Sequence, residues 1–151
     1  MLIRTHLAIT ILAILLFIPH VSVKIPFVII ALAATFIPDV DNMFSTLGKE
    51  KVFRFLQFFT KHRGILHSFS FCVFASLLLS LFWPIAAFPF FLAYALHLFA
   101  DSFTVEGIKP FWPWPKKSSW RVRTGGRVET SILVFFVVID VFVLIFLVMY
   151  Y

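Results

Sequence analysis

Residues 131–151 read "SILVFFVVIDVFVLIFLVMYY", an apolar run broken by one charge, Asp140, and holding no proline or glycine. As a helix, about 20 such residues cross the roughly 30 Å hydrocarbon core of a bilayer. The stretch therefore predicts a membrane-spanning helix. The whole chain agrees with it. Of 151 residues, 62% are hydrophobic and 13% charged, where soluble domains hold about 45–50% and about 25%. A soluble fold of this composition would lack the polar surface to cover its core. The mean hydropathy of +1.02 and the 22 phenylalanines suit a surface facing lipid. The expected fold is all-α: a polytopic membrane helix bundle forming a single integral domain over residues 1–151. The lone Cys72 excludes a disulfide within the chain and reads as a small buried residue.

Outward from that helix, prolines and charges divide the sequence into four more apolar segments. Helices are expected near 6–18, 25–37, 66–83 and 85–103, with the last at 131–151. Pro19, Pro38 and Pro84 mark their ends, and Pro26 suits a first helical turn. Helices 1, 2 and 4 are short for a span, so each extends by its flanks, thins the bilayer or re-enters it. "MLIRTHLAITILAILLFIPH" at the start has a signal-peptide look but no small-residue cleavage site, and reads as a retained helix.

With five spans, the basic residues fall on one side. Arg4, the group from Lys49 to Arg63 and the group from Lys109 to Arg127 share it, and Lys24 alone lies opposite. The positive-inside rule makes the crowded side cytoplasmic, with the N-terminus inside and the C-terminus outside. The net charge of +6 is a topology signal here, since no nucleic-acid motif accompanies it. Trp83, Tyr150 and Tyr151 mark the outer interface. Trp112, Trp114 and Trp120, within "KPFWPWPKKSSWRVR", mark the inner one, as a segment lying among the headgroups.

Most histidines and acids fall at the cytoplasmic helix ends. His6 opens helix 1, Asp39 and Asp41 follow helix 2, and His62, Arg63 and His67 ("HRGILHS") open helix 3. His97 and Asp101 close helix 4, and Glu129 precedes helix 5. Taken singly, each has an ordinary reading as a cap, a snorkelling cation or a hydrogen-bonded pair. Five segments converging on one level favour a shared site. His97 and Asp101 stand i,i+4, on one helix face, where they could bind one metal or orient each other. Nitrogen and oxygen donors without thiolate suit zinc, or manganese or magnesium where carboxylates dominate. The number of donors points to one or two ions. Asp140, deep in helix 5, is costly in lipid and should face the bundle, bonded to a hydroxyl such as Ser70, Ser76 or Tyr94.

The ordered set "THLAIT", "IPDVDN", "HRGILHS", "LHLFADSFTVEGIKPFWPWP" and "GGRVE" resembles the YdjM-like family of inner-membrane, metal-dependent hydrolases, over nearly the whole chain. That family is distantly similar to the zinc-dependent phospholipase C and S1/P1 nuclease group of phosphodiesterases. The resemblance implies His97 and Asp101 as a ligand pair on one helix. It adds an aspartate of "PDVD", His67 and Glu129 as further ligands. "GGRVE" departs from the pattern where a residue such as serine is expected after the first glycine.

The leading expectation is hydrolysis of an ester, a phosphoester above all, at the cytoplasmic membrane surface. His67, His97, Asp101, Asp39, Asp41 and His6 are the candidate metal residues. His62, Glu129 and Arg63 are the candidate catalytic ones, with the Arg63 guanidinium gripping an anionic group. The expected partners are the bilayer and a phospholipid or another anionic phosphoester. Two readings stand beside it: a metal transporter or sensor, whose site usually lies near the midplane, and a scaffold stapled by its metal.

Overall fold

The computed structural model describes residues 1–41 and 64–150, the side chains of Val40 and Asp41 excepted. His62, Arg63 and the Asp41 carboxylate thus lie outside the described residues. Five α-helices are described: α1 (Ile3–Phe17), α2 (Lys24–Phe36), α3 (Phe69–Phe82), α4 (Pro84–Ser102) and α5 (Arg127–Tyr150). A 3₁₀ turn, Ile18–His20, extends α1, and another, Pro38–Asp41, follows α2. Prolines punctuate the elements as their chemistry requires, since a missing N–H is harmless in a first turn and ends a helix elsewhere. Pro84 opens α4, and Pro38 turns the chain out of α2.

Among the described residues, three helices are long and apolar enough to cross a membrane: α1 with its 3₁₀ extension, α4 and α5. The other two are shorter, with 13 residues in α2 and 14 in α3, or roughly 20 Å each. The expected third helix loses its first turn for a local reason. Ser68, in extended conformation, accepts a hydrogen bond from the Phe71 amide through its side chain, so the helix begins at Phe69. His67 therefore sits on the turn before α3 rather than inside the helix. Two more boundaries move the other way. α1 starts at Ile3, placing His6 within it, and α5 starts at Arg127, placing Glu129 in its first turn.

α4 is the hub. It packs against α2, α3 and α1, whereas α5 packs along α1. Ala31, Ala34 and Ala93 are fully buried, and small residues at these contacts let backbones approach closely. Tyr94, Leu98, Phe27 and Cys72 fill the space between them. The Thr10 and Thr35 hydroxyls meet at 3.0 Å between α1 and α2, a polar tie of the kind that joins helices in lipid.

The connection from α4 to α5 is an ordered loop. Val105 donates to the Val122 carbonyl, and Ile108 and Ser118 exchange backbone hydrogen bonds. Gly107 (φ 56°) allows that pairing: a Cβ there would stand 2.1 Å from the Ser118 oxygen. Ile108 then drops into the main core. Two of the three expected hydroxyl partners of Asp140 are engaged elsewhere. Tyr94 donates to the Leu66 carbonyl and Ser76 to the Cys72 carbonyl. Asp140 Oδ1 is buried without a hydrogen-bond partner among the described residues.

Candidate metal centre

The sequence scatters His6, Asp39, His67, His97 and Asp101 over almost a hundred positions, and the fold gathers them at one end of the bundle. Asp39 comes from the 3₁₀ turn after α2, His67 from the turn before α3, and His97 and Asp101 from the last turns of α4. Asp39, His67, His97 and Asp101 each offer one ligand atom, and these four atoms lie within 4.8 Å of one another.

The four histidine–aspartate edges of this group are nearly equal. His67 Nε2 lies 3.5 Å from Asp39 Oδ1 and 3.8 Å from Asp101 Oδ2. His97 Nε2 lies 3.8 Å from each of the same two oxygens. A tetrahedron of ligands about 2.0–2.1 Å from a zinc ion has edges of roughly 3.3 Å. These four edges exceed that by a few tenths of an ångström, and the remaining two lie within 4.8 Å, so the side chains would draw inward to close around such an ion.

The tautomer of His97 fits the same use. Its Nδ1 is 2.8 Å from the Thr35 carbonyl oxygen, an acceptor only, so Nδ1 carries the proton and Nε2 presents a lone pair. Nε2 is buried and has no hydrogen-bond partner among the described residues. A buried lone pair aimed between two carboxylates is costly alone and suited to a cation. An outer N–H held by a backbone carbonyl is the usual way a ligating imidazole is oriented. The group could therefore hold a divalent metal ion, and among the described residues it is the one cluster of this kind.

Asp101 divides its carboxylate between two tasks. Oδ2 belongs to the four-atom group. Oδ1 lies 3.3 Å from His6 Nε2 and also meets the Met1 amine. The His6 ring stacks on His97, centroid to centroid 3.8 Å and 5° from parallel, so His6 buttresses a ligand and stands behind the group. His67, His97 and Asp101 are almost wholly buried, while the Asp39 side chain keeps 19% of its surface exposed. That makes Asp39 the described ligand nearest to solvent. Burial works against the Asp39 carboxylate, but the hydrogen bond with His67 and the imidazoles of His97, His67 and His6 outweigh it. They hold its pKa below the usual carboxylate value.

Glu129 is buried and fully engaged, and it is not part of the four-atom group. Oε1 accepts from the Leu2 amide and from the Thr5 hydroxyl at 3.0 Å, and Oε2 accepts from the Gly125 amide. It ties the first turn of α5 to the first turn of α1, which carries His6.

Sequence reasoning did not find the Thr35 carbonyl, Thr5, or the loop carbonyl of Pro110, which accepts from the Phe69 and Ser70 amides beside His67 at 2.8 and 3.4 Å. Backbone acceptors leave no mark on residue identity. Thr5 and Thr35 do leave one, as hydroxyls inside apolar helices.

Comparison with curated proteins and with solved structures gives no match. The YdjM inner membrane protein family matches over residues 1–151. The spans, the buried histidine–aspartate group and this end-to-end match lead to one conclusion: the chain is a membrane protein and belongs to the YdjM inner membrane protein family.

Proposed function

We propose that the protein is a metal-dependent hydrolase acting on a phosphoester, lipid-linked or free, at the cytoplasmic face of the inner membrane. One observation carries this reading. The group is an all-nitrogen-and-oxygen set in which one carboxylate, Asp39, remains partly exposed while the other three ligands are buried. An ion held there, zinc above all and manganese or magnesium as alternatives, supplies Lewis acidity that activates water and polarises a phosphoryl oxygen.

The chain's own residues hold and orient. His97 is fixed by Thr35 and by the stacked His6. Asp101 joins the group through one oxygen and anchors His6 through the other. Asp39, kept ionised, lies where a substrate enters. From the sequence alone, Arg63 is assigned to gripping the anionic substrate as a planar fork, His62 to catalysis and Asp41 to the metal. Glu129 is a positioning residue that acts through the α1 turn. Support for the cytoplasmic side comes from Arg4, Arg127 and the cations of the loop after α4, which gather at the same end of the bundle.

The test is metal analysis of the purified protein, followed by a screen of phospholipids and phosphomonoesters with His97→Ala as control. Turnover that requires metal and vanishes in the variant is expected. Stoichiometric metal with no turnover would sink the hydrolase reading and favour a structural staple. The staple has its own observation: the four ligands come from three chain segments, so an ion would pin α2, α3 and α4 together.

A further inference from the structure

We propose that the loop after α4 docks on anionic phospholipid headgroups, and that this docking braces the metal group so that its metal affinity rises in anionic membranes. This rests on the metal-binding part of the reading above and not on hydrolysis.

Residues 103–126 leave the end of α4 and return at the start of α5, so two spans fix the loop at the membrane boundary. Residues 111–121 are exposed throughout, with Phe111 at 63%, Trp114 at 73% and Trp120 at 66%. Exposed tryptophans suit the headgroup layer, where an apolar ring and a polar N–H are both satisfied. The loop carries five Lys and Arg against one acid, Glu106, a net charge complementary to an anionic leaflet.

The same loop is bonded to the metal group at two points. Pro110, immediately before the exposed Phe111, accepts the Phe69 and Ser70 amides, which follow His67 within three residues. Thr104 donates its hydroxyl to the Asp101 carbonyl at 2.8 Å and accepts the Gly107 amide at 3.0 Å. One loop thus holds the Asp101 carbonyl directly and the backbone two and three residues after His67. Outer partners that orient ligand side chains alter metal affinity by about 10–100-fold when lost, and these backbone bonds set the positions from which the His67 and Asp101 side chains reach the group. Fixing the loop's tip on headgroups restricts Pro110 and Thr104, and through them the placing of His67 and Asp101.

The experiment uses the full chain in nanodiscs of phosphatidylcholine alone or mixed with phosphatidylglycerol. In a Trp83→Phe variant the remaining tryptophans all belong to the loop. Lipids brominated near the headgroup should quench them strongly, and lipids brominated at the chain end weakly. Zinc affinity, measured against a competing chelator, should be about tenfold tighter in the anionic discs. A Lys116→Gln, Lys117→Gln, Arg121→Gln, Arg123→Gln variant should lose that difference and match the parent in phosphatidylcholine. Zinc enrichment by the anionic surface itself would persist in this variant, so a persisting difference overturns the proposal. Equal affinity in both discs for the parent, or loop tryptophans untouched by shallow bromines, also overturns it. If soluble glycerophosphate tightens zinc as well as the anionic discs do, the loop binds free phosphate and the lipid surface is rejected. Absence of zinc binding in every disc removes the metal site itself, an outcome distinct from equal affinity.

Discussion

α4 and α5 are both long enough to span a bilayer, and they are used in opposite ways. Half of α4's span is buried inside the bundle, against 6% of α5's. α4 carries His97, Asp101 and Tyr94 in the core, whereas α5 presents Phe142, Ile145 and Val148 to its surroundings. The helix richest in Val, Leu, Ile and Phe is the one facing lipid, because lipid rewards apolar surface as fully as a protein core does. The central helix is the one that tolerates polar residues, since its neighbours can satisfy them. Asp101 is surrounded by imidazoles, and Asp140 Oδ1 has no partner among the described residues.

Removing each acid is the sharpest test of that contrast. Asp101→Ala deletes a ligand and strips His6 of its nearest carboxylate. It should lower metal affinity by at least about a hundredfold, the upper end of what even outer-shell losses cost, as read by chelator competition. Asp140→Leu should leave metal affinity unchanged and favour membrane insertion by about 3 kcal/mol, measured in a translocon insertion assay. A loss of metal in Asp140→Leu would break the comparison. Glu129→Ala leaves the Leu2 and Gly125 amides without their acceptor, and should destabilise the protein in detergent by about 2 kcal/mol. It would show that α5 matters to the site through its first turn alone. Ser68→Ala removes a helix cap for about 1 kcal/mol and loosens the His67 turn, with a modest fall in metal affinity.

Acid titration tests Asp39. Its pKa is lowered, so its contribution to stability is present above the ordinary carboxylate value and is lost as pH falls through the lowered one. Bound metal followed from pH 7 downward should therefore show no difference that depends on Asp39 until pH has fallen below the ordinary carboxylate range.

Much of this arrangement was legible in the residues themselves. Hydropathy placed five helices, because an apolar run bounded by prolines has few other folds in a membrane. The i,i+4 spacing of His97 and Asp101 put both on one face, and the convergence of helix ends brought Asp39 and His67 to the same group. His6 was read as a candidate metal residue; its stacking on His97 was not legible, since ring geometry depends on how α1 lies against α4. Glu129 was read as a further ligand by resemblance. Its carboxylate is instead filled by three donors, two of them backbone amides. The shift of α3 to Phe69 was legible in principle, since Ser68 is a good capping residue standing before an apolar run.

The bond between the Leu2 amide and Glu129 joins residues 127 positions apart, and the Met1 amine meets Asp101, 100 positions on. The first turn of α1 is thus clasped from two sides, by α4 and by α5. α1 is made before either clasp exists, so its first turn is fixed only when these two later helices have joined it in the bundle. The stacking of His6 on His97 is a product of that long-range closure rather than of α1 itself.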